Sequence, residues 1–132
     1  MYIRIDVGSK YSGVVKVHEG RIIYAEKIEN SQILKIKIDK TDSVLIEFFD
    51  SVHGKIGLTT ISAIFWTGRV FQYFKNQAFF VELIGRKECL KSLGCKDDSS
   101  VISYIRKTNP YGTKLKADCW QAYALYLAYK NE

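Results

Sequence analysis

A chain of 132 residues, 47% hydrophobic and 14% aromatic, is long and apolar enough to build the core of one domain, which excludes a disordered polypeptide. No apolar run approaches the roughly 18 residues of a membrane-spanning helix, so no membrane partner is expected. The net charge of +6 favours a polyanionic partner, nucleic acid first, with lysine and arginine gathered between Arg86 and Lys116.

The segment Tyr2–Val7 alternates with period two, placing Ile3, Ile5 and Val7 on one face and Arg4 and Asp6 on the other, and predicts a first strand. Residues 13–28, GVVKVHEGRIIYAEKI, predict two more strands joined by a turn at His18-Glu19-Gly20. Residues 30–42 alternate like a strand, although the chain order suits a short helix or a plain crossover equally well. Residues 43–49, SVLIEFF, are apolar nearly throughout and predict a central strand. The longest helix is expected over residues 59–77, capped by Thr59 or Thr60. Ile61, Ile64, Phe65, Gly68, Phe71 and Phe74 form its expected core stripe, with Gly68 admitting a close neighbour.

That helix also carries Trp66 and Tyr73, more aromatic surface than one stripe needs, which suits either a partner or cover on both faces. A fifth strand follows at 77–85, then short helices at 86–94 and 98–108, the second capped by Asp98 or Ser99. A last helix begins near Leu115, with Ala117, Trp120, Ala124, Leu127 and Ala128 on or near one face. The order gives one α/β domain over residues 1–132, a mixed five-stranded sheet with an antiparallel edge, flanked by helices. Cys89, Cys95 and Cys119 are odd in number and lack metal-ligand spacing, so inert thiols are expected. The N-terminus has no signal-peptide pattern, which suggests an intracellular protein.

Three carboxylates stand where a solvated charge is unnatural. Asp6 is inside the first strand, Glu47 inside the fourth, and Asp118 near the start of the last helix. If the two strands are neighbours and the helix packs across them, the three converge, and they then require a divalent cation between them. Oxygen ligands select Mg2+ or Mn2+, and such sites hydrolyse phosphodiesters. The same residues also allow a plainer arrangement. Asp6 would take a salt bridge or backbone bond, Glu47 would face solvent at an edge, and Asp118 would favour a helix N-terminus.

Four blocks, in order and covering most of the chain, resemble the RuvC-type Holliday junction resolvases, phage-borne members included. They are IDVGSKYSGVVKVHEGRIIYAEKI, VLIEFFDSVHGKIGLTTISAIFWTGRVFQYF, LKSLGCKDDSSVISYI and ADCWQAYALYLAY. The resemblance implies an RNase H-like fold, a homodimer, and metal-dependent nicking of opposed strands in a four-way DNA junction, inside a host cell. By position it makes Asp6, Glu47 and Asp118 the catalytic, metal-binding carboxylates. Asp50 is a rival to Glu47, which is preferred because it directly follows the strand. Lys91 and Lys96 lie near the family's basic segment, with Lys114, Lys116 and Arg69 as further DNA-contacting cations. Phe48 or Phe49 is placed to stack on a base, or else belongs to the core.

The family usually carries an acid or histidine three positions before the last aspartate, where this chain has Leu115. Other readings use the same residues. A YqgF-type nuclease acting on RNA or damaged DNA would need the same carboxylates. A module that binds branched nucleic acid without cutting it would suit the missing fourth ligand. The segment IDVGSKYSGVVKV also resembles the phosphate hairpin of actin-like ATPases, but those need a second such domain.

Overall fold

The first strand, β1 (Tyr2–Val7), buries Ile3, Ile5 and Val7 on one face of the sheet and Arg4 among its neighbours on the other. The computed structural model describes residues 1–48, 56–78, 80–108, 115 and 119–130. Strands β2 (Tyr11–His18) and β3 (Arg21–Glu29) complete an antiparallel meander. Glu19 and Gly20 both adopt left-handed backbone angles in the hairpin turn, with φ of 51° and 76°, as a tight hairpin of right-twisted strands requires. Strands β4 (Ser43–Phe48) and β5 (Phe80–Gly85) run parallel to β1, giving the order β3-β2-β1-β4-β5.

Between β3 and β4 the chain forms one helical turn, α1 (Asn30–Ile33), rather than a strand. The alternating pattern of residues 30–42 yields there because Asn30 is drawn inward: its Nδ2 donates to the Gly8 carbonyl at 3.0 Å and its amide to the Lys10 carbonyl at 2.9 Å.

Each sheet face carries its own core. On one, α2 (Leu58–Lys75) covers Ile3, Ile5, Val7, Val14, Val44 and Ile46. On the other, α3 (Arg86–Leu93), α4 (Asp98–Thr108) and α5 (Trp120–Ala128) cover Val15, Val17, Leu45 and Ile84. Five consecutive residues of α5, Ala122 to Tyr126, are buried, so this helix is enclosed on nearly all sides. Arg4 ties the second layer together. Its guanidinium donates to the Ser43 carbonyl at 3.0 Å and the Tyr129 carbonyl at 3.4 Å, joining β1, β4 and the end of α5.

Helix α2 departs from expectation in three respects. Its buried stripe is Ala63, Thr67, Val70 and Phe74, whereas Ile61, Ile64 and Phe65 are exposed. The small residues face the sheet because they let the backbone approach, and Thr67 is buried at low cost because its hydroxyl donates to the Ala63 carbonyl at 2.7 Å. The N-cap is Gly57, without a side-chain cap bond, in place of Thr59 or Thr60. Gly68 accommodates no close neighbour, since a Cβ there would enter open space. Helix α4 is likewise capped one residue earlier than expected, by Asp97, whose Oδ1 accepts from the Ser100 amide at 2.8 Å. The three cysteines are free, with Cys89 and Cys119 buried. Burial pushes the Cys89 thiol up to about 12, with the Glu47 carboxylate adding to the effect, so it stays protonated and unreactive.

Candidate metal centre

The register of β1 and β4 sets Asp6 directly beside Glu47. Both side chains leave the sheet on the face covered by α3, α4 and α5, because Ile5 and Ile46 take the alternate positions under α2. Adjacent strands are about 4.8 Å apart, so the two carboxylates share one small space at the carboxyl ends of parallel strands.

Beyond Asp6 the chain turns sharply, and the turn is held from three sides. The Gly8 amide donates to Ser12 Oγ at 3.3 Å, Asn30 bonds the Gly8 carbonyl, and Ser62 of α2 donates to the Ser9 carbonyl at 2.7 Å. Gly8 is obligatory here because a Cβ would run into the Tyr11 carbonyl oxygen. Gly8→Ala is therefore expected to lower stability by about 1–3 kcal/mol, read as the shift of the thermal or urea unfolding midpoint. A midpoint equal to that of the wild type would disprove the close packing of this turn.

Arg86, the first residue of α3, reaches across both carboxylates. Its Nε donates to Glu47 Oε1 at 2.6 Å and its Nη2 to Asp6 Oδ1 at 3.4 Å. On the solvent side its Nη1 lies 3.8 Å from Asp98 Oδ2, and Asp98 is itself held by Gln121 Nε2 of α5 at 2.8 Å. Sequence reading missed this role for Arg86, which counted there only towards a basic patch, and it gave Asp98 only as a helix cap.

Glu47 is 1% exposed, and its second oxygen, Oε2, has no hydrogen-bond partner among the described residues. Burial first, and then the charge of Asp6, push its carboxyl from an ordinary 4.5 up to about 8, against the pull of Arg86. Burial by itself would lower the Arg86 pKa, but the charges of Glu47 and Asp6 raise it above its usual value. The guanidinium remains charged.

A buried carboxylate with an orphaned oxygen beside a second carboxylate fits a hard divalent cation, which takes carboxylate oxygens at about 2.1 Å. Among the described residues no group of three or more His, Cys, Asp or Glu side chains converges as a metal site. Asp118, Asp50, Phe49, Lys114 and Lys116 lie outside the described residues. Cys119, the residue after Asp118, is buried in the core on the face that bears Asp6 and Glu47. Leu115, which stands where an acid or histidine was anticipated by resemblance, packs against that same core.

The remaining sequence candidates lie apart. Lys91, in the last turn of α3, and Lys96, in the turn before α4, are exposed. Five residues of helix put Lys91 only about 7.5 Å along the axis from Arg86. Arg69 is exposed on α2, stacked 4.6 Å above the Trp66 ring. Phe48 points to the α2 side, where it lines a cavity of about 290 Å³ with Ile64, Thr67, Gly68 and Leu83.

Two solved structures from Thermus thermophilus align with 98% of this chain. One is RuvC in complex with a Holliday junction substrate, with a TM-score of 0.64, 15% identity and 91% of that chain covered. The fold is that of RuvC. The second is the Thermus thermophilus RuvC structure, with a TM-score of 0.58, 16% identity and 92% coverage. No family model matches the chain, and no curated protein matches its sequence. The RuvC fold is the mixed five-stranded, RNase H-like arrangement expected above, so strand order and register now stand behind the resemblance. No helix among the described residues is long and apolar enough to cross a membrane.

Proposed function

We propose that this protein is a structure-specific endonuclease dependent on Mg2+ or Mn2+, which resolves four-way DNA junctions by paired nicks as a homodimer. The observation that carries the reading is the register pairing of Asp6 with Glu47 on a RuvC fold, together with the orphaned Glu47 Oε2. Asp6, Glu47 and Asp118 are the assigned metal ligands. When bound, the metal supplies an activated water and charge stabilisation for the leaving oxygen of a phosphodiester. The chain supplies the rest. Burial fixes the Glu47 rotamer and keeps bulk water away from its carboxylate, while the braced Gly8–Lys10 turn sets the end of β1 and hence Asp6.

Lys91 and Lys96, with Lys114, Lys116 and Arg69, provide cations for the DNA backbone. A dimer accounts for the exposed face of α2, where Leu58, Ile61, Ile64 and Phe65 present apolar surface to solvent.

A second reading also has an observation in its favour. Because Arg86 spans the carboxylate pair, the chain would also suit a junction-binding module that does not cut. A strand-labelled synthetic four-way junction distinguishes them. Incubation with Mg2+ or Mn2+ is expected to yield nicks at symmetric positions in two opposed strands, with linear duplex and RNA left at least about tenfold slower. Tight binding without any nick would establish the non-cleaving module, and equal cleavage of linear duplex or RNA would establish a different nuclease on this fold.

A further inference from the structure

We infer that Arg86 is an exchangeable counter-ion: it holds Asp6 and Glu47 together in the metal-free protein, and a divalent cation binds by displacing its guanidinium. The inference rests on the metal-binding reading above and concerns how that site is filled.

The guanidinium bonds Glu47 Oε1 and Asp6 Oδ1, one oxygen from each carboxylate, and so occupies the gap that a shared cation would enter. A metal at about 2.1 Å from those oxygens and a guanidinium nitrogen at 2.6 Å cannot use the same lone pairs together. The hold is also incomplete. Arg86 brings a single positive charge to two carboxylates, and among the described residues the buried Glu47 Oε2 has no donor, whereas a divalent ion matches both charges and can take that oxygen.

Arg86 has somewhere to go. Its side chain is one quarter exposed, and Asp98 stands at its outer edge with its own carboxylate anchored by Gln121 from α5. A swing towards Asp98 keeps the guanidinium paired while it releases the inner carboxylates. Arg86 is thus a positioning residue for the pair rather than a catalytic one. It spares the metal-free fold from two adjacent, uncompensated carboxylates.

The test is Mn2+ binding by calorimetry, with thermal melting in the presence and absence of Mn2+, on the wild type, Arg86→Gln and Arg86→Lys. Arg86→Gln is expected to bind Mn2+ about tenfold tighter than the wild type, since a charged competitor has been removed. It should melt lower than the wild type without metal and recover most of that loss when Mn2+ is added. Arg86→Lys, whose compact ammonium cannot fork between two carboxylates, should bind several-fold tighter and serves if the glutamine variant does not fold.

Unchanged or weaker Mn2+ binding in the folded variants, with the wild type binding normally, overturns the exchange and leaves the nuclease reading standing. An equal drop in melting temperature with and without Mn2+ also overturns it, as the mark of a purely structural arginine. If neither wild type nor variants bind Mn2+, the metal reading itself fails and the exchange with it.

Discussion

Asp6→Asn and Glu47→Gln are each expected to reduce junction cleavage by about 1,000-fold or more, while junction binding stays within about threefold of the wild type. The substitutions are nearly isosteric, so the register pair, the strands and the hold of Ser12, Asn30 and Ser62 on the following turn stay in place. What each one removes is a negative oxygen facing its partner. Two carboxylates attract a divalent ion strongly only while both are charged, and an amide beside a carboxylate supplies half the charge and a misplaced donor.

DNA binding depends on other groups. On the proposed reading the exposed Lys91, Lys96 and Arg69 are expected to engage phosphates whether or not the metal site is intact, and loss of an acidic group reduces repulsion of the backbone. Gel shift on a labelled four-way junction measures binding, single-turnover nicking measures the rate, and circular dichroism confirms the fold. A folded Asp6→Asn or Glu47→Gln variant that nicks within about tenfold of the wild-type rate would remove that residue from the metal site.

Asp6 and Glu47 were legible in the sequence because a strand alternates with period two. Once Ile3, Ile5 and Val7 were assigned to one face, Arg4 and Asp6 had to share the other, and an acid directly after Val44, Leu45 and Ile46 had to lie inside a buried strand. Only the pairing of the two strands was missing, and their register supplied it.

Arg86 could not be found in the same way. Its partners are 39 and 80 residues distant in the chain, and nothing local separates it from Lys87 or Lys91. Helix α2 was misread for a different physical reason. Large apolar side chains occur on both of its faces, and the sheet selected the face with Ala63 and Thr67, where the backbone can come close. Periodicity identifies an apolar stripe but does not say which of two will be covered. The turn at Asn30–Ile33 depends on bonds from Asn30 back to the Gly8–Lys10 segment, and such tertiary bonds override an alternating pattern.

The metal-free protein is expected to lose stability as pH rises from about 4.5 to about 8, and Glu47→Gln is expected to lack that component. Below about 4.5 the native and unfolded chains both keep the Glu47 proton, so the residue contributes no pH dependence. Between the two values the unfolded chain releases the proton and the native chain retains it, so each rise in pH favours unfolding. Above about 8 the native carboxyl must ionise in its buried place beside Asp6, and the loss is complete.

The full displacement sets a ceiling of about 5 kcal/mol, and a few kcal/mol is the expected difference because Arg86 compensates part of the charge. Urea unfolding of metal-free wild type and Glu47→Gln across pH 5–8 measures it, with the difference between the two curves as the readout, since other titrating groups are common to both. Curves that run parallel through this range would show that Glu47 ionises as easily in the fold as in the open chain. A slope that disappears on addition of Mn2+ would tie the same carboxylate to the cation, because bound metal holds Glu47 ionised throughout and replaces the proton it otherwise keeps. The loss of stability then comes from the cost of ionising, in the core, the same carboxyl that the proposed chemistry requires as an anion. The fold tolerates Glu47 in its core as a neutral acid below about 8, and as an ion it relies on a cation nearby, whether Arg86 or a metal.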